Sequence, residues 1–520
     1  MNIANLFYLK GKRGKNTMTD HTKYRILEMI PGTLLWTTLI GALALSFLKP
    51  LWVIYFIIIF CTYWLFRVFY FVTYLVISWR RLRRDINKDW LVETKQLPNW
   101  ESYYHLIFLP FSTESDKVLR TTFQSLVDSN YPLEKMIVVL AGEERKMDVF
   151  KSTSEAMQKE FGDRFHKLII TCHPDNLPGE IKAKGANAYW AALKSKEYID
   201  EEKIPYEKII VSYFDSDTCV HRQYFAYLSY KYITNPKRER AAYQPVAFYN
   251  NNIWDSLALM RVVAFGTTFW LLTELSKPER LFTFSSHSIS YKALIDVDFW
   301  QKDAVTDDSR IFLQCFIRYG GDFEVIPMYM PVSMDTVMAE NIWSSLKNLY
   351  KQQRRWAWGV EHFPYMVWYF SKGILKTNTG EIAVSKIPFL KRFKYLWNLT
   401  EGMYSWATAP ILIFILSRLP LWTGREQFGS TVFFQTAPVV LEWLLTGAMV
   451  GMFASAILFL FLLPPKPVQK NYLYYIVMVF QWIFLPIALI FFGSIPAIEA
   501  QTRLMIGKHL GFAVTEKARK

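Results

Sequence analysis

The chain has 520 residues, of which 52% are hydrophobic and 17% aromatic, and it carries a net charge of +15 at pH 7. Long apolar blocks lie toward both ends, around a charged middle, whereas a soluble chain of this length would show evenly mixed patterning. The basic residues flank the apolar blocks, and no basic stripe with interleaved aromatics crosses the middle, which argues against nucleic-acid binding. The composition therefore predicts a membrane protein that contacts anionic lipid.

Two apolar segments come first, at residues 32–48 and 51–79, separated only by Lys49 and Pro50. Each is long enough to cross a bilayer, so we expect a helical hairpin. Lysines and arginines precede the first segment and four arginines follow the second, which places both flanks, and the domain that follows, in the cytoplasm. Arg67 lies inside the second segment, and either extends to the membrane surface, which we favour, or faces a polar cavity.

From about residue 103 the pattern changes to short β-rich runs that alternate with amphipathic helical stretches. This alternation predicts a doubly wound α/β sheet. Ligands of such sheets bind beyond the carboxyl ends of the strands, so the residues that directly follow each β-rich run are the candidates for a functional site.

Three further apolar segments follow, at residues 395–418, 437–463 and 472–496. The best charge balance is obtained if the first two cross the membrane and the third, which contains Pro486 and Pro496, lies along the cytoplasmic interface. The sequence thus predicts a protein of the inner (plasma) membrane with four crossings and with both termini in the cytoplasm.

The first chemical motif is Asp215-Ser216-Asp217, which follows a hydrophobic run. Two carboxylates at positions i and i+2 after a buried strand can reach one hard divalent cation, Mg²⁺ or Mn²⁺. Such a cation neutralises the diphosphate of a departing nucleotide. The alternative is a turn or a helix cap, and the motif alone does not decide between them.

The second motif is Thr306-Asp307-Asp308, which precedes a helical run. One interpretation is an N-terminal cap, because these residue types satisfy the free amides of a helix start. The other is a general base, an aspartate that takes the proton from an attacking hydroxyl. One loop can serve both purposes.

The third motif lies on a predicted helix and includes Gln352, Arg355 and Trp356. Arginine binds a diphosphate with two parallel hydrogen bonds, and tryptophan offers a flat face to a sugar ring. The alternative is a basic, aromatic helix that anchors to lipid headgroups.

These three motifs in this order, between membrane segments, resemble the processive family 2 glycosyltransferases, the group of cellulose, chitin and hyaluronan synthases. Residues 110–114 (PFSTE) and 179–187 (GEIKAKGAN) are similar to two other stretches of that family, and residues 512–517 (FAVTEK) resemble the gating loop of cellulose synthases. The resemblance covers the chain from about residue 103 onward. It implies a GT-A-like catalytic domain inserted between α-helical transmembrane segments.

The resemblance divides the chain into seven parts: a cytoplasmic basic leader (1–31), a transmembrane hairpin (32–79), a cytoplasmic glycosyltransferase domain (80–360), interfacial amphipathic helices (361–394), transmembrane helices (395–463), an interfacial or re-entrant helix (464–500) and a cytoplasmic tail with the gating-loop motif (501–520).

The resemblance also implies four kinds of site residue: Asp215 and Asp217 at the metal, Asp308 as the catalytic base, Glu114, Lys184, Arg355, Thr515 and Lys517 at the nucleotide, and Gln352, Trp356 and Asp307 at the acceptor. A single base without a second nucleophilic carboxylate implies direct displacement, and therefore an inverting transfer. The expected donor is a UDP-sugar, the expected product is a growing β-linked glycan, and an export partner protein is compatible with secretion of that product.

Two departures from the family pattern leave the donor open. Residues 140–145 (LAGEER) stand where the family has an Asp-Asp pair that holds the nucleoside, with Glu143 and Glu144 as candidate substitutes, and Thr113 replaces an asparagine. Two alternatives to a polysaccharide synthase stay open: a single-step transferase that uses a lipid-linked acceptor, and a catalytically silent membrane scaffold subunit.

Overall fold

The structure, a computed structural model, describes residues 19–468 and 471–511 of the chain. Its strands, in chain order, are β1 (Tyr104–Pro110), β2 (Met136–Glu143), β3 (Lys167–His173), β4 (Ile209–Tyr213), β5 (Cys219–Val220), β6 (Ala241–Tyr249), β7 (His287–Ser290), β8 (Glu324–Met334), β9 (Ile374–Lys376) and β10 (Glu381–Ala383).

The first ten α-helices are α1 (Asp20–Leu48), α2 (Pro50–Ile86), α3 (Trp90–Lys95), α4 (Asp116–Val127), α5 (Met147–Phe161), α6 (Lys184–Glu201), α7 (Tyr224–Thr234), α8 (Ala258–Leu275), α9 (Tyr291–Asp296) and α10 (Asp307–Arg318). The remaining ones are α11 (Ile342–Ala357), α12 (His362–Lys372), α13 (Phe389–Ile411), α14 (Leu419–Thr423), α15 (Arg425–Phe428), α16 (Val432–Leu462), α17 (Tyr474–Phe480), α18 (Leu485–Leu489) and α19 (Ile495–Met505).

Eight strands form one mixed sheet in the order β3-β2-β1-β4-β7-β6-β8-β5. The strands β3, β2, β1 and β4 run parallel, β7 is antiparallel to both of its neighbours, and β6 and β8 are again parallel. The predicted α/β class is confirmed, and the antiparallel strand in the centre is a feature that the alternating pattern did not reveal.

Both faces of this sheet are buried, which explains why its strands read as continuous hydrophobic runs. Along β1, Leu106 and Phe108 contribute to one apolar core, whereas Ile107 and Leu109 contribute to the other. The first core is shared with α6, α8, α9 and α10, and the second with α4, α5 and α7. Because β1, β2 and β4 are parallel, their carboxyl ends meet at one edge of the sheet.

Six helical stretches within the described residues are long and apolar enough to span a membrane: Asp20–Leu48, Pro50–Ile86, Ala258–Leu275, Phe389–Thr423, Val432–Leu462 and Tyr474–Met505. The third of these, α8, packs against the catalytic sheet and is more than half buried. The helix α1 begins at Asp20, within the stretch expected to be a leader, because the Thr19 side chain caps it by accepting a hydrogen bond from Thr22 N at 3.2 Å.

The helices α2 and α16 pack closely through small residues. A β-carbon added to Gly447 would lie 3.0 Å from Leu65, and one added to Gly451 would lie 2.6 Å from Val68. Glycine therefore permits an approach of the two backbones that larger residues would prevent.

The last apolar stretch is broken into α17, α18 and α19, with Pro486 and Pro496 in the first turns of the second and third. The run stays helical from Tyr474 to Met505 through short 3₁₀ and π turns, and whether it crosses the membrane stays a prediction. The helix α19 packs against α1, where Trp36 Nε1 donates to Thr502 Oγ1 at 2.9 Å, and against α13, where Gln501 Nε2 donates to Met403 O at 2.8 Å.

The stretch 361–394, expected to consist of interfacial amphipathic helices, contains α12, the hairpin β9–β10 and the first turn of α13. The exposed apolar residues at the start of α13 lie on one stripe, and basic residues alternate with them; the apolar ones are Phe389, Leu390, Phe393 and Trp397. Such a helix start is suited to the surface of a membrane.

Candidate active site

Asp215 and Asp217 follow β4 at the carboxyl edge of the sheet, as the sequence predicts, but their carboxylates have different surroundings. Asp215 Oδ1 accepts a hydrogen bond from Lys184 Nζ at 2.7 Å, and its Oδ2 accepts one from Ser285 Oγ at 2.6 Å. Asp217 is fully buried, and its Oδ2 accepts one from Asp335 N at 2.8 Å. Asp215, whose side chain is 27% exposed, is therefore the more accessible member of the pair.

Lys184 connects the first two motifs. Its ammonium lies 2.7 Å from Asp215 Oδ1, 3.4 Å from Asp308 Oδ1 and 3.8 Å from the centre of the Tyr213 ring. Burial alone would lower the pKa of Lys184, but the carboxylates of Asp215 and Asp308 reverse this effect and raise it. Lys184 is thus a permanent positive charge between the two aspartates.

A glycine allows Lys184 to reach this position. A β-carbon on Gly185, in the first turn of α6, would lie 3.0 Å from Asp307 Cβ and 3.1 Å from Gln301 O. The small residue therefore lets α6 pack directly against the start of α10. This packing gives a physical reason for the Lys-Gly pair in the stretch 179–187.

The second motif lies at the start of α10, but Thr306 makes no side-chain capping hydrogen bond there. Its Oγ1 instead donates to Glu361 Oε1 at 2.6 Å. Asp307 is buried, and its Oδ2 accepts a hydrogen bond from Tyr213 OH at 2.5 Å. Asp308, whose side chain is 26% exposed, is the carboxylate of this motif that faces the cleft.

Asp308 has the titration behaviour of a proton acceptor. Burial raises its pKa from the ordinary value near 3.8 to about 7, the charge of Lys184 opposes this rise, and the charges of Asp307 and Asp215 add to it. A carboxyl group that titrates near neutral pH is well matched to general base catalysis. The group is charged, and able to take a proton, above that pH.

The third motif lies on α11, which runs past the same edge. The ring of Trp356 lies 5.7 Å from that of Tyr249 at the end of β6, and a small cavity borders both residues together with Asp335 and Gln352. Burial raises the pKa of Tyr249, the nearby aspartates raise it further and Arg355 lowers it. Tyr249 therefore lies within the electrostatic reach of all three motifs.

Two adjacent arginines of α11 have different surroundings. Arg354 NH1 donates to Glu499 Oε1 at 2.6 Å and so ties α11 to α19. The charge of Arg355 lowers the pKa of Tyr249, which lies at the end of β6. The diphosphate-binding role of Arg355 stays a prediction.

The ends of β1 and β2 complete this edge. Glu114 Oε2 accepts hydrogen bonds from Ser112 N at 2.7 Å and Thr113 N at 3.0 Å, which closes a tight turn, and its nucleotide-binding role stays a prediction. Glu143 is buried beside Arg145 and accepts a hydrogen bond from Ser112 Oγ at 3.2 Å. Of the two glutamates proposed to replace the family's aspartates, Glu143 lies at the end of the strand.

Several residues of the site were not predicted. Tyr213 lies two residues before the first motif and Glu361 lies five residues after Trp356, so both could have been noted, whereas Ser285 and Tyr249 lie far from the motifs in sequence and gave no signal. His287 is buried, with Nδ1 donating to Phe284 O at 2.9 Å. Thr515 and Lys517 lie outside the described residues.

The aspartates fit a nucleotide-bound cation better than a free one. Among residues 19–468 and 471–511, no three side chains of His, Cys, Asp or Glu form a ready metal-binding group. Mg²⁺ bound with nucleotides usually takes one or two protein carboxylates and completes its shell with phosphate oxygens and water. Asp215 is the accessible carboxylate of the pair and Asp217 is fully buried, and their role as metal ligands stays a prediction.

The α/β sheet, with the first two motifs joined through Lys184 at one of its edges, has the arrangement expected of a glycosyltransferase. The sequence model described as "Glycosyl transferase family group 2" matches residues 210–495, which is more than half of the chain and contains all three motifs. The chain therefore belongs to glycosyl transferase family group 2. No curated protein matches the chain at the level of sequence.

Two solved structures are similar to this chain at low sequence identity. One is a mannosyltransferase from Pyrobaculum calidifontis in complex with GDP-Man and Mn²⁺, with 14% identity, a TM-score of 0.40, and coverage of 77% of this chain and 99% of that one. The other is residues 1–349 of TarS from S. aureus in complex with UDP-GlcNAc, with 10% identity, a TM-score of 0.35, and coverage of 68% and 90%.

Proposed function

We propose that the protein is an inverting, metal-dependent glycosyltransferase that moves sugar from a nucleotide sugar, with a UDP-sugar as the expected donor, to a growing β-linked glycan. The observation that carries this proposal is the position of Lys184 between Asp215 and Asp308. The aspartate predicted to face the donor phosphates and the aspartate predicted to face the acceptor thus lie 2.7 Å and 3.4 Å from one ammonium group.

In this proposal Asp308 takes the proton from the acceptor hydroxyl as that oxygen attacks the sugar. Asp307 is an unsuitable second nucleophile, because it is buried and accepts a hydrogen bond from Tyr213 OH. Because Asp307 is unavailable and Asp215 is proposed to face the donor phosphates, Asp308 is left as the single base, which supports direct displacement and inversion. The departing diphosphate is bound by Arg355, and a cation held by Asp215 and Asp217 supplies further charge neutralisation there.

The acceptor is placed beside α11. Trp356 lies next to the cavity that Gln352 and Tyr249 border, and its ring offers a face on which a sugar can stack. Glu143, at the end of β2, is the proposed contact to the nucleoside. Thr515 and Lys517 are proposed to reach the bound nucleotide from the tail.

The proposed location is the inner (plasma) membrane, with the catalytic domain and both termini in the cytoplasm, four crossings and the last apolar stretch along the interface. The contact of α19 with α11 supports this arrangement, because Glu499 and the two arginines that pair with it, Arg354 and Arg503, are charged groups that favour the membrane surface over its centre. An export partner protein is part of the proposal for a secreted product.

The test is nucleotide release by the detergent-purified protein with Mg²⁺ or Mn²⁺, across a panel of UDP-sugars and GDP-sugars. We expect release from one donor, and loss of that release in Asp308→Asn. Asp303→Asn is the matched control, because Asp303 lies five residues away and pairs with Lys376 at the surface. A folded protein that releases no nucleotide and binds none in the presence of metal would contradict the proposal and favour the scaffold.

The product distinguishes the two enzymatic alternatives. A polymer that resists solvent extraction supports a polysaccharide synthase. A radiolabelled glycolipid with a single added sugar supports transfer to a lipid-linked acceptor, with the same residues in the same catalytic roles.

A further inference from the structure

A second group of charged and aromatic side chains lies outside the candidate active site, where α2 meets α13 and the turn that follows α8. Its cations are Arg67, Lys277 and Arg280, here called the basic cluster. Lys277 Nζ lies 4.8 Å from the ring centre of Tyr70 and 5.8 Å from that of Tyr74. The tyrosines of α2 thus form an aromatic wall beside the cations.

Two carboxylates balance part of this charge. Lys277 Nζ lies 2.7 Å and Arg280 NH2 3.8 Å from Glu274 Oε1, and Arg67 NH2 lies 3.1 Å from Glu401 Oε1. Three cations and two carboxylates leave one net positive charge. Burial lowers the pKa of Lys277, Glu274 opposes this effect, and the charges of Arg280 and Arg67 lower it further.

The same place holds two buried donors without an acceptor. Arg280 Nε and Trp64 Nε1 are buried and have no hydrogen-bond partner among the described residues. Arg67 Cζ lies 6.0 Å from the centre of the Trp64 ring. The side chain of Arg67 is 31% exposed, so the basic cluster is accessible from the protein surface. Buried donors require acceptors, and an oxyanion can satisfy several at once.

The depth of the basic cluster in the membrane follows from the positions of Arg67 and Glu401 along their helices. The far ends of α2 and of the run Phe389–Thr423 lie together, because Thr423 Oγ1 donates to Ser46 O in the last turn of α1. Arg67 lies 17 residues from Pro50, or about 26 Å along the helix, and Glu401 lies 22 residues from Thr423, or about 33 Å. The hydrocarbon layer is about 30 Å thick, so both residues lie at the headgroup level on the side of the catalytic domain.

We propose that the basic cluster binds the phosphate of an anionic membrane lipid in the leaflet that faces the catalytic domain. One net positive charge matches the single negative charge of a phosphodiester. Arg280 Nε and Trp64 Nε1, which have no hydrogen-bond partner among the described residues, would donate to its oxygens on binding, and Tyr70, which is 38% exposed, would border the approach from the bilayer. In this proposal Arg67, which is paired with Glu401, lies near the membrane surface.

The experiment uses the full chain purified in a neutral detergent and titrated with short-chain phosphatidylglycerol, with short-chain phosphatidylcholine and with inorganic phosphate. The readout is the melting temperature, which rises with the concentration of any ligand that binds the folded state alone. We expect phosphatidylglycerol to raise it, and the other two compounds to have little effect at equal concentrations.

Variants assign the effect to the basic cluster. Arg280→Gln is expected to weaken the apparent affinity for phosphatidylglycerol about tenfold, because one charge-assisted contact is lost. Arg280→Lys keeps the charge and should keep most of the affinity. Arg83→Gln is the matched control, since Arg83 is an exposed arginine in the last turn of the same helix that carries Arg67. Lys277→Gln carries the same expectation as Arg280→Gln should the latter not fold.

Three results would overturn the proposal. Equal weakening by Arg83→Gln would show a general attraction of the basic surface for anionic lipid. An equal stabilisation by inorganic phosphate would show a site for a free anion. An unchanged affinity in both Arg280→Gln and Lys277→Gln would show that the headgroup binds elsewhere.

Discussion

Replacing Lys184 with methionine tests the centre of the candidate site. The substitution keeps most of the side-chain volume and removes the positive charge between Asp215 and Asp308. With Lys184 in place the pKa of Asp308 is about 7, and the base is charged above that pH. Activity should therefore fall as the pH falls through 7, and the substitution should move this fall to higher pH.

The distance gives the size of the effect. Two unit charges 3.4 Å apart interact with about 5 kcal/mol at an effective dielectric constant of about 20. One unit of pKa corresponds to about 1.4 kcal/mol, so the upper bound of the shift is between three and four units. Lys184 also serves Asp215, and a bound cation takes over part of its effect, so we expect a rise of about one to two units.

The assay is the initial rate of nucleotide release between pH 5.5 and 9.5 in the presence of the donor that the panel identifies. At pH 7 the rate of Lys184→Met should be about tenfold below that of the unchanged protein, and it should recover toward pH 9. Lys184→Arg should lie between the two. Lys194→Met, on the same helix but paired with Glu197 at the surface, should leave the profile unchanged.

Two outcomes would refute this reasoning. An unchanged profile in folded Lys184→Met would mean that Asp308 is not the group that titrates, or that Lys184 does not set its pKa. A uniform loss of rate at every pH would mean that Lys184 acts through donor binding alone.

Three further substitutions follow from the same contacts. Asp215→Asn should weaken nucleotide binding in Mn²⁺ but not in excess EDTA, as measured by calorimetry, because only the cation-dependent part of binding uses this carboxylate. Glu361→Gln weakens the bond that holds Thr306, so kcat should fall several-fold while the KM for the donor stays unchanged; a parallel rise in KM would contradict this. Gly451→Val should lower the melting temperature, since its β-carbon would lie 2.6 Å from a side chain of α2, whereas Gly41→Val, which meets no atom within 4 Å, should have a much smaller effect.

The strand-end position of the first motif could be predicted because its cause is local. A buried hydrophobic run ends at Tyr213, and the next polar residues must then lie at the carboxyl edge of the sheet. The same applies to the second motif, since Asp307 and Asp308 precede a clear amphipathic run and do form the first turn of α10. In both cases the hydrophobic pattern of the sequence shows where the strand ends or the helix begins, and this boundary determines where the side chains of the motif lie.

The partners of these residues could not be predicted, because they depend on packing between distant parts of the chain. Lys184 and Asp308 are 124 residues apart, and they meet only because α6 approaches α10 through Gly185. The position of β7, antiparallel between β4 and β6, could not be predicted either, because the hydrophobic pattern of a strand indicates its burial but not its direction in the sheet. The start of α1 at Asp20 depends on a cap at Thr19 in a polar stretch that carries no hydrophobic period.

One chain of contacts joins the base to the membrane helices. Thr306 Oγ1 donates to Glu361, which also accepts a hydrogen bond from Trp358 Nε1 at 2.7 Å, in the 3₁₀ turn that directly follows α11. From α11, Arg354 reaches Glu499 on α19. These contacts form a route from α19 and α11 to the loop that holds Asp308, the proposed base. Such a route is what an enzyme needs if it must couple each transfer to the advance of its product along the membrane helices.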